Sequence, residues 1–275
     1  MPTNAKRLRA NSLVVVLLLL AATTVSATDV PLSPTVKPAA NGAPKTLLFV
    51  GNSYFYYGDG LQNHVRRLAA AADPANPDRY KTTSWKMATI SGSNLAHHHI
   101  ESYLEPGKLG VKEPFDVVVL QGGSGDTGSA DRRALFEKTV TEFDERIRKA
   151  GAKTVLYMIH AYGKEHERFN PRMIRDVEKM YVTAGNKVGA LVIPVGLAFE
   201  EAYRQRPDLK LHKTYDGSHP DLIGTYLAAC VTYASLYGRS VSGNTYDYFG
   251  KLDKESVAFL QAVADKTVAK FYGLP

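Results

Sequence analysis

The sequence holds a single cysteine, Cys230, in 275 residues. One thiol closes no internal disulfide, so a fold built from this chain must rest on its packed core. Cys230 lies in Leu227-Ala228-Ala229-Cys230-Val231 and reads as a small buried hydrophobe. Long apolar runs are also missing. Leu13 to Ala22 is too short to span a bilayer comfortably. No Gly-x-Ser-x-Gly elbow occurs, which disfavours the lipase-type α/β-hydrolase arrangement. Neither a phosphate-binding P-loop nor an internal repeat is present. A strong excess of one charge is absent too. The formal charge is +7; Lys6, Arg7 and Arg9 supply three bases in residues 1–27 with no acid, so +7 less 3 leaves +4 for the rest. Lys and Arg are interspersed with Asp and Glu there, which gives no reason to expect nucleic acid as a partner.

What is present begins with an export pattern. A basic start, the apolar run and the small residues Val25-Ser26-Ala27 form the layout of a secretory signal. Residues 1–27 are expected to be removed after Ala27, leaving a periplasmic or secreted protein with no stable membrane insertion. An uncleaved N-terminal anchor is the alternative. No cysteine follows the run, which excludes a lipoprotein anchor. Residues 28–44 carry Pro31, Pro34, Pro38 and Pro44 and read as an extended linker. Residues 45–275 are expected to form one domain, a size that buries a sufficient core.

From Lys45 onward, short continuous apolar runs alternate with amphipathic stretches. Strands are expected at 46–50, 82–90, 115–120, 154–159 and 191–195. Helices are expected at 60–72, 94–104, 130–149, from about Pro171, and at 220–237 and 254–272. Such alternation makes a parallel sheet covered on both faces, with ligands at the carboxyl ends of the strands. Polar or glycine-containing segments stand at those ends: Gly51-Asn52-Ser53, Gly92, Gln121-Gly122-Gly123-Ser124 and His160.

Two of these segments point to nucleophilic chemistry when read together. Ser53 follows the first strand directly, where its hydroxyl can face a cleft and its amide can meet an oxyanion. Alone, it reads more readily as a cap of the next helix. Asp216-Gly217-Ser218-His219-Pro220 pairs a carboxylate with a histidine within one turn of chain. A histidine base needs such a carboxylate to fix its tautomer and stabilise its cation. Alone, this pair reads equally as a turn before a helix.

The set and its order resemble the SGNH (GDSL-like) hydrolases across about residues 46–240. In that family the nucleophile stands in Gly-Asp-Ser or Gly-Asn-Ser after the first strand, here Gly51-Asn52-Ser53. Acid and base stand as Asp-x-x-His near the C-terminus, here Asp216 and His219. A glycine after the second strand supplies an oxyanion amide, and Gly92 matches it. The family's Gly-x-Asn after the third strand is replaced by Leu120-Gln121-Gly122-Gly123-Ser124. This is similar to the Gln-Gly-Glu-Ser version of carbohydrate and sialate acetylesterases. It implies Gln121 as the third oxyanion donor, with Ser124 at the Asn position as the alternative. The resemblance implies a flavodoxin-like three-layer α/β/α sandwich without cofactor.

Other residues carry weaker signals. Gly123-Ser124-Gly125-Asp126-Thr127-Gly128 imitates a dinucleotide loop, but the next strand ends Met158-Ile159-His160-Ala161 without the ribose-binding acid. His97-His98-His99 cannot converge on one ion from consecutive positions, so no metal site is expected. Asn52, Tyr54 and His160 are candidate substrate contacts, and Tyr54-Phe55-Tyr56-Tyr57 a candidate apolar or sugar-stacking wall. Packing roles are the alternative for His160 and for the wall. The expected reaction is hydrolysis of an ester through an acyl-enzyme, with an acetyl or short acyl group on a carbohydrate as first choice. The expected partner is therefore a small-molecule or glycan ester. A lipid or aryl ester is the alternative substrate, and non-catalytic glycan binding the alternative function.

Overall fold

The computed structural model describes Met1, residues 32–39 and residues 44–275. Apart from Met1, the expected signal lies outside the described residues, as does part of the 28–44 segment. The described part of that segment is held in place. Asn186 Oδ1 accepts from the Thr35 amide at 2.8 Å and its hydroxyl at 3.0 Å, and Asn186 Nδ2 donates to the Ser33 carbonyl at 2.9 Å.

Five strands make one parallel sheet: β1 (Leu47–Gly51), β2 (Trp85–Thr89), β3 (Val117–Leu120), β4 (Lys153–Tyr157) and β5 (Leu191–Ile193). Their order is β2-β1-β3-β4-β5. Every residue of β1 and β3 is buried, the burial pattern of strands covered on both faces. This is why these strands read as continuous apolar runs rather than alternating ones. In register, Leu47 lies between Trp85 and Val117, and Val50 between Ala88 and Leu120.

The helices are α1 (Ser53–Tyr56), α2 (Leu61–Ala72), α3 (Ile100–Leu104), α4 (Ala130–Lys149), α5 (Met173–Val188), α6 (Val195–Gln205), α7 (Leu222–Tyr237) and α8 (Lys254–Tyr272). Contacts link α2, α6 and α8 to α7, and link α3 and α5 to α4. The three-layer α/β/α sandwich with a parallel sheet is therefore the observed fold. Helix α4 shows how local chemistry sets an element. The Ser129 hydroxyl caps its start by accepting from the Arg132 amide, and Arg146, Arg148 and Lys149 complement the negative end of the helix dipole. Phe136, Val140, Phe143 and Ile147 form its buried face. Helix α7 differs, since every residue from Gly224 to Tyr237 is buried. It is a core helix rather than an amphipathic one. Cys230 lies inside it, buried and unpaired.

Three details depart from the sequence reading. The expected 94–104 helix is split, because His98 and Glu105 are extended and only a short 3₁₀ turn precedes α3. Helix α5 begins after Pro171, at Met173. Helix α6 was not expected. It follows β5 directly through Pro194, and its Gly196 lies so close to the segment just beyond β4 that a Cβ there would run into the Ile159 carbonyl oxygen. A glycine that reads as a breaker is here a close-packing residue.

Phe49 ties the sheet to the first turn beyond β1, edge-on to Phe55 at 5.6 Å and stacked on Trp85 at 6.4 Å. Phe49→Ala is expected to cost about 3–5 kcal/mol of stability in urea unfolding, as for other large-to-small changes in a closed core.

Candidate active site

The strand order reverses direction between β1 and β3, and the crevice at such a switch point is where open α/β sheets bind ligands. Ser53 stands there, at the start of α1. Asn52 caps that helix, its Oδ1 accepting from the Tyr54 amide at 3.1 Å. The other end of the same side chain donates to the Ser93 carbonyl at 2.9 Å. One asparagine thus joins the loop that carries Ser53 to the loop after β2.

Ser53, His219 and Asp216 form a continuous chain of hydrogen bonds. Ser53 Oγ lies 2.8 Å from His219 Nε2, and His219 Nδ1 lies 2.6 Å from Asp216 Oδ2. A carboxylate only accepts, so Nδ1 carries the proton and Nε2 is left as acceptor for the Ser53 hydroxyl. Asp216 Oδ1 accepts from the Ser218 and His219 amides at 2.8 and 3.0 Å. Burial pushes the Asp216 carboxyl up, but the bonds from the His219 ring and from the two amides outweigh it, and the net shift is downward. The group stays a carboxylate at neutral pH. The His219 ring is sandwiched on one face by Tyr57, at a centroid distance of 4.0 Å.

The pair opens on a cavity of about 330 Å³. Asn52, Ser53, Tyr54, Gly92, Ser124 and His219 all line it, so the structure brings these expected residues together. A second, mostly apolar cavity of about 260 Å³ lies beside α6 and contains no member of the Ser53–His219–Asp216 chain. Gly92 has positive φ, 66°, and open space where a side chain would point. Tyr54 is buried, and its hydroxyl is 2.7 Å from Ser218 Oγ.

Two expected residues are elsewhere engaged. Gln121 is buried and does not line the cavity. Its Oε1 accepts from the Asn52 amide at 2.9 Å, and its Nε2 donates to the Gly122 carbonyl. Both ends of the carboxamide bond backbone and the side chain does not line the cavity, so in this structure it holds the loop that carries Ser53 and is not placed at an oxyanion site. Gly51 makes this possible, since a Cβ there would fall 2.4 Å from Gln121 Oε1. His160 is fully buried and reaches no cavity. It lies between the Tyr54 and Phe199 rings, each at 4.4 Å, and its Nε2 donates to the Ser218 carbonyl at 2.9 Å. It supports the loop that carries Asp216 and His219, as the packing alternative held.

The histidine run behaves as three separate residues. His98 is buried, 3.3 Å from Ser93 Oγ; His97 accepts from the Asn94 amide at 3.3 Å; His99 is exposed. Asn94, Asp126 and Arg132 line the cavity and were not singled out from the sequence. For Asp126 the signal was the glycine-rich loop after β3, discounted with the dinucleotide reading; Asn94, in the loop after β2, and Arg132, in the first turn of α4, carried none.

No protein-family model matches the chain, and no curated protein matches it. Solved structures do. A protein of the DUF4886 family from Bacteroides uniformis superposes with a TM-score of 0.62 at 20% identity, over 84% of this chain and 96% of its own. A protein from Slackia heliotrinireducens assigned to the SGNH hydrolases gives 0.54 at 22%, over 69% and 97%. An acetyl xylan esterase gives 0.54 at 19%, over 69% and 98%. The chain has the SGNH hydrolase fold. Within that fold, Ser53, His219 and Asp216 meet by geometry that this chain shows on its own.

Two outcomes follow from the buried groups. Gln121→Ala leaves the Asn52 amide without its side-chain partner and the Gly122 carbonyl with only the 3.4 Å bond from Asn52 Nδ2, and is expected to cost about 1–3 kcal/mol of stability. Unchanged urea stability with a large loss of turnover would instead return Gln121 to the oxyanion. Burial also lowers the pKa of His64, His98, His160 and His212, the last from 6.5 to about 4. The unfolded chain therefore takes up protons below pH 6.5 that the native state refuses. Stability should be fully present above pH 6.5 and fall as pH drops towards 4, read as a falling urea midpoint. A midpoint that is flat or rises over that range would contradict neutral buried histidines.

Proposed function

We propose that the chain is a serine esterase of the SGNH type that works through an acyl-enzyme. The observation that carries this reading is the Ser53–His219–Asp216 hydrogen-bond chain opening on the cavity at the switch point. Ser53 attacks the ester carbonyl while His219 takes its proton and passes it to the leaving alcohol. Asp216 holds the ring and stabilises the imidazolium. Water activated by His219 then releases the acid and restores Ser53.

The Ser53 and Gly92 amides are the first two oxyanion donors. Ser124 is the third. Ser124 lines the cavity, and its Oγ accepts from the Tyr162 hydroxyl at 3.1 Å, while its own hydroxyl is within hydrogen-bonding reach of Tyr54 and can be turned towards an oxyanion. This replaces Gln121 with the residue at the family's Asn position.

A short acyl group on a carbohydrate fits the site better than a lipid. Beside the catalytic pair, the cavity is lined by Asn52, Ser93, Asn94, Asp126, Arg132 and Ser218, a polar set suited to hydroxyl-rich alcohols. Exposed Tyr56 and Tyr215 flank Tyr57 at the site, with Tyr215 donating to the Tyr57 hydroxyl at 3.4 Å. Such rings offer faces on which a sugar can stack. The acetyl xylan esterase among the similar structures accords with this choice. Export by cleavage after Ala27 completes the proposal and places the enzyme where glycans are met outside the cytoplasm.

A fluorophosphonate should label the protein, and Ser53→Ala should abolish both labelling and p-nitrophenyl acetate hydrolysis while far-UV circular dichroism is unchanged. Full activity in folded Ser53→Ala protein would sink the mechanism. His219→Ala should lose almost all turnover and Asp216→Asn somewhat less. Turnover should fall on the acid side, because only neutral imidazole accepts the Ser53 proton. Ser124→Ala should lower kcat by on the order of a hundredfold with KM little changed, as expected for loss of one oxyanion donor. An equal loss carried in KM would remove Ser124 from that role.

A further inference from the structure

The glycine-rich loop that imitates a dinucleotide site lies along one wall of the catalytic cavity, and it is built around two charged side chains. Asp126 turns inward. Its Oδ2 accepts from the Gly123 amide at 2.7 Å, and its oxygens lie 2.8 and 3.0 Å from where side chains on Gly122 and Gly123 would begin. Burial pushes the Asp126 carboxyl up to about 6, while the Gly123 amide and the charge of Arg132 pull it back. Arg132, in the first turn of α4, takes the outward place. A Cβ on Gly125 would stand 3.0 Å from its Nη1, and one on Gly128 3.7 Å. The glycines leave a lane in which the guanidinium lies beside the cavity.

The cavity's other polar side chains are largely engaged. Asn52 bonds the Tyr54 amide and the Ser93 carbonyl, Ser218 bonds Tyr54, and Asn94 Oδ1 accepts from the Ala96 amide. Ser53, His219 and Ser124 belong to the reaction. Arg132 makes one long hydrogen bond, Nη1 to the Gly125 carbonyl at 3.3 Å, and among the described residues no carboxylate lies within ion-pair distance of it. A guanidinium carries five donors in a planar fork that matches a carboxylate edge to edge. Arg132 is exposed and lines the same cavity as Ser53.

Resting on the esterase reading, we propose that Arg132 determines specificity and that the ester selected here carries a carboxylate. An acylated acidic sugar presents one on the alcohol side; a dicarboxylic monoester presents one on the acyl side. Either way the guanidinium pairs with a charge that takes no part in bond breaking. Its contribution is to binding, so it appears in kcat/KM through KM.

Four substrates test this in two pairs. Methyl glycosides of acetylated galacturonate and acetylated galactose differ by a carboxylate on the alcohol. The p-nitrophenyl hemisuccinate and acetate differ by one on the acyl group. The wild type should prefer the acid member of one pair, and that pair identifies which end bears the charge. In Arg132→Gln the acid-to-neutral ratio of kcat/KM should fall by about tenfold to a hundredfold, the range for losing a charge-assisted pair. Arg132→Lys should fall between, since it keeps the charge and loses the fork. Arg133→Gln, whose guanidinium instead bonds the Thr127 carbonyl, should leave the ratio unchanged. A wild type with no acid preference, or a ratio that Arg132→Gln does not move, overturns the proposal. If none of the four esters is hydrolysed, the esterase reading fails instead. Calorimetric titration of galacturonate and of succinate into wild type and Arg132→Gln then decides the arginine alone: tighter binding of either acid by the wild type supports it, and equal binding of both overturns it.

Discussion

Asp216 carries three N–H groups on two oxygens, and the geometry of the site follows from that arrangement. One oxygen takes the Ser218 and His219 amides, which forces the chain into a tight turn and fixes where His219 leaves it. The other takes the imidazole Nδ1 and fixes how the ring is turned. A carboxylate with a single partner would orient the ring and leave the loop to other forces. Here position and orientation come from one group. The turn is braced from outside as well: the Gly163 amide donates to the Gly217 carbonyl at 2.7 Å, and the Lys213 amide to that of His219 at 2.7 Å. Gly217 adopts φ 60° with the His166 amide close beneath it, a place with no room for a side chain.

The same economy governs the nucleophile side. Gln121 holds the Asn52 amide, Asn52 holds the Ser93 carbonyl, and so the ends of β1, β2 and β3 are stitched together by two carboxamides. Neither side chain contacts the reacting atoms as a donor in the geometry seen. They belong to the layer that keeps Ser53 and Gly92 at fixed separation. Preorganisation of this kind lets amides stabilise charge without first having to move.

How much of this was legible in the sequence depends on what a residue's role requires. The strands were legible because burial on both faces demands unbroken apolar runs, as in Leu47 to Val50. The Asp216–His219 pair was legible because the two residues lie three apart and share one turn. Gln121 and His160 were legible as polar residues at strand ends, but their direction was not. Which way a carboxamide points is set by the space that Gly51 leaves for it, a contact 70 residues away in sequence. His160 is aimed inward by the Tyr54 and Phe199 rings, which come from opposite ends of the chain. Helix α6 was hidden for a related reason: Gly196 is suited to its contact with the segment just beyond β4, and local propensity alone argues against a helix there.

Helix α7 follows the Asp216–His219 turn almost at once. Asp221 caps it, accepting from the Leu222 amide at 2.7 Å, and also pairs with Lys213 at 2.6 Å on the other arm of the turn. The histidine is thus bolted to the one helix that has no solvent face. Amides of such a helix exchange hydrogen with water only when the whole domain opens. Loss of that helix would also release the turn that carries Asp216 and His219, so slow exchange at the α7 amides reports on the framework that positions the histidine.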